Sequence, residues 1–266
     1  MHVELRAAAV LERRVVPPVR KESAVARELR HGKLPAPLLH AWRAGSAKIP
    51  AFLDDHAFLA WGELELYQAT GEAAALVRAC ELADAIVARF WDAERGAFAQ
   101  TAADGEALVT RPFQLAGGAI PSGAEVAIDV LLRLGRLTGR DKYTAPARRT
   151  LERHSGAIAA HPSAYTRALA GLDYDKGPSI EIVLAGAAGD AGLAALRREV
   201  DRRYLPRAVV VVNAGDPAVA ALVPGAAALP MKDGRATAYV CENFSCQLPV
   251  TDPAALAKLL DAPPGK

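Results

Sequence analysis

Asp54, Asp55 and His56 stand side by side in the segment LDDHAFLAW, two carboxylates followed by an imidazole. A carboxyl pair can serve as general acid and base when one member is held protonated near neutrality, and histidine titrates there unaided. The same residues suit a structural role. Asp54 and Asp55 stand where a helix running to Thr70 would begin, the first as its cap and the second favouring the helix dipole. A lone histidine in a helix is ordinarily structural or solvated. Glu125 poses the same choice, because Ser122 and Glu125 have the spacing of a capping box, in which each side chain satisfies the other residue's N–H.

Asp92, Glu94 and Arg95 occur with Gly96 and Phe98 in a hairpin turn, where Gly96 serves the reversal and Asp92 or Arg95 is left to reach a ligand. Arg111 stands in the loop leading to Gly117 and Gly118. Cys241 and Cys246 bracket the residues ENFS. A zinc site would need further ligands, and no Cys or His lies close by in sequence, so no metal is expected. The pair also lacks the spacing and helix N-terminus of a thioredoxin-type site, so a redox role for Cys241 and Cys246 competes with simple closure of a strand and loop. Cys80 falls on the apolar face of its helix and belongs to the core. The turn from Gly186 to Gly189 has neither dinucleotide-binding spacing nor a Walker lysine, and no cofactor is expected.

The elements that position these residues follow from patterning. Of 266 residues, 52% are hydrophobic and 23% charged, with a net charge of +2, the profile of a globular chain. Acids and bases are mixed, without the basic stripe of a nucleic-acid surface. No apolar run approaches the roughly 20 residues that cross a bilayer, and Glu4, Arg6 and the Glu12-Arg13-Arg14 cluster break up the start, unlike a secretory signal. Three cysteines without a disulfide framework point to a reducing compartment, and a cytoplasmic location is expected. Residues 1–50 form an irregular segment, with a helix from Ser23 to Arg30 and a proline-rich loop, KLPAPLLHAWRAGSAKIP. Residues 51–175 carry helices in pairs with very short connectors inside a pair and a long one between pairs, the pattern of stacked α-hairpins. One face of the second helix holds Leu76, Ala79, Ala83, Ile86, Val87 and Phe90, and one face of the third holds Ala127, Val130, Leu131, Leu134 and Leu137. Residues 176–266 alternate strands (Ser179–Ala185, Ala208–Asn213, Ala236–Cys241) with helices, which predicts a small parallel three-stranded sheet. The fold class is therefore mainly α, with an α/β carboxy-terminal region.

In this order, LDDHAFLAWGELELYQATG, FWDAERGAF, IPSGAEVAIDVLLRLGRLTG, PSIEIVLAG and AYVCENFSCQLPVTDPAAL resemble the thioredoxin domain-containing protein family, which has a spermatogenesis-associated mammalian member. The resemblance covers most of Lys33 to Leu260. It implies a thioredoxin-like domain followed by an (α/α)6 toroid similar to N-acylglucosamine 2-epimerase and several glycoside hydrolases. This chain carries too few hairpins to close such a ring, so the thioredoxin domain and the early hairpins are expected to be missing. In toroids of this kind substrate sits where hairpin loops and helix starts converge. The resemblance thus implies a carbohydrate site with Asp54 and Asp55 as catalytic groups and Trp42, Arg43, His56, Trp61, Asp92 and Arg111 as binding residues. The family carries Tyr in place of His56 and Asn-Ser in place of Ala124-Glu125, which argues against His56 as a catalytic base. Three functions follow: an epimerase-like or hydrolase-like enzyme, a non-catalytic module for protein interaction or redox-linked work, or an inactive fragment. An open ring would expose apolar surface, so self-association or a companion chain is expected to cover its edge.

Overall fold

The structure is a computed structural model that describes residues 38–261, except Gly45, Asn243, Phe244 and the side chains of Trp42 and Ala47. The helix expected at Ser23–Arg30 lies outside the described residues. The described part opens with an antiparallel hairpin, β1 (Leu39–Arg43) and β2 (Ser46–Pro50), where the prolines predicted a loop. Pro50 ends β2, where a missing N–H costs little.

Five helices follow: α1 (Leu53–Thr70), α2 (Ala73–Phe90), α3 (Gly123–Thr138), α4 (Asp141–Ala160) and α5 (Thr166–Lys176). Gly71 and Gly139 close α1 and α3 in left-handed conformation, φ +74° and +67°, each donating its N–H to the carbonyl four residues back. These caps turn the chain at once into α2 and α4, which is why the connectors within pairs are so short. The long connector from α2 to α3 begins with a small hairpin, β3 (Trp91–Asp92) and β4 (Ala97–Phe98).

The helices α1, α3 and α5 lie side by side, with α2 packed on α1 and α4 on α3. Having neighbours on several sides, α3 is buried at every residue except Arg133 and Arg136, well beyond the stripe its period predicts. The apolar face read for α2 is buried as expected, save Val87, which is half-buried.

The tail contains β5 (Ile180–Ala185), α6 (Ala191–Asp201), β6 (Ala208–Asn213), the short helices α7 (Pro217–Leu222) and α8 (Pro224–Ala227), β7 (Thr237–Glu242), β8 (Ser245–Cys246) and α9 (Pro253–Asp261). Its sheet has the order β6-β5-β7-β8. β5 and β6 are parallel, but β7 runs antiparallel to β5, so the sheet is four-stranded and mixed where a parallel three-stranded one was predicted. Asn213, at the end of β6, donates its side-chain amide to Ala226 O (3.1 Å) and Leu229 O (3.3 Å), holding α8 and the turn after it at that end of the sheet. The chain therefore enters β7 from the end it has just left. Alternate residues face two cores: Val183, Val209, Val211 and Tyr239 join the helical core, while Ile182, Leu184 and Val240 pack with Leu196 of α6 and Leu256 of α9. Coverage on both faces accounts for the unbroken apolar runs IVLA and VVVV. The edge at β6 is occupied too: Gln68 of α1 donates to Val210 O (3.0 Å) and accepts from Val210 N (2.7 Å).

Candidate functional site

The helices α1, α3 and α5 start at one end of the layer, and acidic side chains tie those starts together. Asp54 Oδ1 accepts the N–H of Gly123 at 3.0 Å, so the first turn of α1 caps α3. Glu125, buried in the first turn of α3, accepts from Ser122 N (3.1 Å) through one oxygen and from Arg167 N (3.2 Å) and Ala168 N (3.1 Å) through the other, capping α5. Thus α1 and α3 each supply the anion that the next helix's N-terminus favours. Asp55 accepts from Phe52 N at 2.8 Å, and its oxygens lie 2.9 and 3.0 Å from His40 Nδ1, which fastens the β1–β2 hairpin to α1. His56 is buried, with Nδ1 at 2.9 Å from Phe52 O and its ring centre 4.9 Å from that of Phe90.

Burial lowers the His56 pKa below its ordinary 6.5. The unfolded chain therefore holds this proton more tightly than the folded one. Stability is at its full value above about pH 6.5 and falls as pH drops toward the folded pKa. The thermal midpoint is expected to decline between pH 7 and pH 5, and His56→Gln to flatten that stretch of the profile.

Further along α1, Trp61 and residues from α3 and α5 form a connected polar cluster. The Arg167 guanidinium lies 4.3 Å from the centre of the Trp61 ring and donates to Asp129 Oδ2 at 2.6 Å. Arg133 lies 3.7 Å from the same carboxylate and donates to Glu65 Oε1 at 2.6 Å, and Trp61 Nε1 donates to that oxygen at 2.9 Å. Burial pushes the Glu65 carboxyl up, but the hydrogen bond and charge of Arg133 outweigh it and hold the group below its ordinary range. Among the described residues, Arg167 Nε is buried without an acceptor. An indole, two guanidiniums and two carboxylates on adjoining helices are thereby joined in one network, with Asp129 buried and the Glu65 side chain half exposed.

Comparison with known proteins supports the family that the motifs imply. Over 212 residues the chain is 34% identical to human spermatogenesis-associated protein 20 and 32% identical to the rat and mouse proteins of that name. Most of this chain is thus similar to one part of spermatogenesis-associated protein 20. The match takes in 79% of the chain and 27% of the human protein, so the chain spans about a quarter of the length of these relatives. No family model matches the chain.

The remaining candidate residues are dispersed. Asp92 serves its own turn, accepting from Arg95 N at 2.9 Å through Oδ1 and from Gly96 N at 2.8 Å through its backbone carbonyl. Arg111 donates to Thr101 O at 2.7 Å and is held within its loop. Arg43 is exposed at the end of β1, opposite Ser46, and Trp42 stands on β1 with its side chain outside the described residues. Cys241 and Cys246 lie in the tail sheet, where they form a disulfide. Burial pushes the Cys80 thiol up to about 11, in keeping with a core residue. Sequence reasoning missed His40, Glu65, Asp129, Arg133 and Arg167. Only the four-residue spacings Trp61–Glu65 and Asp129–Arg133 carried a local signal. Among the described residues no group of His, Cys, Asp and Glu is arranged to hold a metal ion, and no helix is long and apolar enough to cross a membrane.

Proposed function

We propose that this chain is part of a carbohydrate-binding α/α toroid in a protein of the spermatogenesis-associated protein 20 family, with the sugar held over Trp61 and Arg167. The cluster that joins these residues to Asp129, Arg133 and Glu65 carries the reading, because it combines an aromatic ring with both signs of hydrogen-bonding charge on the layer where α1, α3 and α5 start together. In the family that the motifs resemble, this part follows a thioredoxin-like domain, and the activity of the whole protein belongs to the proposal. The reading favours binding over turnover by Asp54 and Asp55, since both carboxylates already hold backbone N–H groups. A cytoplasmic location is part of the same reading.

The test is titration with monosaccharides and disaccharides, including N-acylated aminosugars, followed by tryptophan fluorescence and thermal midpoint. A sugar that binds only the folded state raises the midpoint. Trp61→Phe is expected to weaken that response, and Asp54→Asn to lower stability with the affinity unchanged. Absence of any shift at millimolar sugar would overturn the proposal.

The groove between α4 and α5, about 390 Å³ and lined by Leu151, Ile158, Leu169 and Leu172, supports self-association at the open edge of the layer. Light scattering is expected to show a dimer at micromolar concentration, and a clean monomer there would remove this part.

A further inference from the structure

The disulfide between Cys241 and Cys246 joins the end of β7 to β8, the outer strand of the tail sheet. β8 is a short edge. Among the described residues it pairs with β7 at Cys241↔Cys246 and Glu242↔Ser245; beyond it Gln247 N–H donates to Val240 O at 2.9 Å, and Val250 exchanges two backbone hydrogen bonds with Ala238 (2.8 and 3.0 Å). The two sulfurs have unlike surroundings: Cys241 is 5% exposed and packs in the core shared with the helices, whereas Cys246 is exposed. A crosslink between residues so close in sequence constrains the unfolded chain less than one closing a long loop, so stapling the fold is a weak reason for it.

The same ladder walls a cavity. A space of about 320 Å³ is lined by Val240 and Glu242, which flank Cys241, and by Gln247, which follows Cys246. Across it stand Tyr204, Leu205 and Leu259. Neither cysteine lines the cavity, and Cys241 faces the other side of the sheet from Val240, so a change at the disulfide reaches this wall through the backbone of β7 and β8.

We propose that Cys241 and Cys246 are a reversible dithiol–disulfide couple, reduced by an external dithiol through Cys246, whose state sets the β7–β8 wall of the cavity. A thiolate of the reductant attacks Cys246 Sγ and forms a mixed disulfide; the Cys241–Cys246 bond breaks, and Cys241 leaves as a thiolate that takes a proton from solvent. The reductant's second thiol loses its proton and attacks its own sulfur in the mixed disulfide, releasing the Cys246 thiolate, which is protonated in turn. Two electrons pass to the protein, and the reductant becomes a disulfide. Exposure selects the sulfur attacked, because Cys246 is open to solvent and Cys241 is covered. After reduction backbone hydrogen bonds alone hold β8, and the stretch from Ser245 up to the next anchor, where Val250 pairs with Ala238, is the part freed to open.

The experiment equilibrates the full folded chain with graded ratios of reduced to oxidised dithiothreitol, alkylates it, and maps the label by mass spectrometry. Cys241 and Cys246 are expected to gain label together in a single two-electron transition, with Cys80 unlabelled until the chain is unfolded. Two outcomes overturn the couple: free thiols at both positions under mild oxidation, or a link that resists the dithiol until unfolding. Single variants test the order of attack. Cys241→Ser, which keeps the exposed sulfur, is expected to form a mixed disulfide with oxidised glutathione at least about tenfold faster than Cys246→Ser, and equal rates would overturn attack at Cys246. Amide exchange across residues 237–250 is expected to quicken about tenfold on reduction, and unchanged exchange would overturn control of the wall.

Discussion

Gly123→Ala is expected to destabilise this chain by about 3–5 kcal/mol, combining the cost of overpacking with loss of a helix cap. A methyl group there would sit 2.2 Å from Asp54 Oδ1 and 2.8 Å from both Asp54 Cα and Asp54 N. A side-chain oxygen can swing away, but the backbone of α1 cannot, so α1 and α3 would have to separate. That separation would also disturb Glu125, two residues on, which caps α5. For a chain of this size the loss amounts to about 6–20 °C in thermal midpoint. Asp54→Ala alone removes only the cap and is expected to cost about 1 kcal/mol. Because the obstacle is backbone, Gly123→Ala should remain costly in the Asp54→Ala background. Gly156, in α4, provides the contrast: an added methyl meets nothing within 4 Å, and Gly156→Ala is expected to be neutral or to stabilise by up to about 1 kcal/mol. Unfolding of the four variants by heat or urea decides the matter, and a Gly123→Ala midpoint within 2 °C of the parent would refute the close approach.

Features set by neighbours along the chain are legible in the residues themselves. Gly71 and Gly139 end their helices as their positions predict, and Ser122 with Glu125 forms the capping box its spacing announces. What escapes is set at a distance. Asp54 reads as the cap of its own helix, but its acceptor goes to Gly123, which no local pattern signals. Arg167 meets Asp129 and Trp61 only because α5 returns beside α3. Direction in the sheet is hidden for a similar reason, since the reversal of β7 depends on what the Asn213 amide holds. The cysteines are an intermediate case. Their spacing suits residues facing each other across a tight reversal, but that signal means little until the run is known to fold back, with Glu242 opposite Ser245. The catalytic reading of Asp54 and Asp55 is what the resemblance implies, whereas their structural work, accepting Gly123 N–H and Phe52 N–H, is seen in the geometry.

Arg78→Met is expected to cost about 3–5 kcal/mol, and the double variant Glu63→Leu with Arg78→Met to recover most of that loss. Arg78 of α2 grips Glu63 of α1 through two hydrogen bonds, Nε to Oε1 at 2.8 Å and Nη2 to Oε2 at 2.7 Å, with side chains only 4% and 8% exposed. Removing the guanidinium alone leaves a carboxylate in the interior between two helices, with neither water nor a countercharge. Removing both leaves an apolar contact that its neighbours already favour, since Ala60, Leu64, Ala75, Ala79 and Leu82 are buried around this stretch of the two helices. The ion pair is also imperfectly satisfied: Arg78 Nη1 is buried without an acceptor among the described residues, a standing cost that the double variant relieves. Urea unfolding of the parent, each single variant and the double gives the coupling between the two positions directly. A double variant as unstable as Arg78→Met would mean that the α1–α2 interface depends on the pair's geometry to set the register of the two helices, beyond the neutralisation of one buried charge by another.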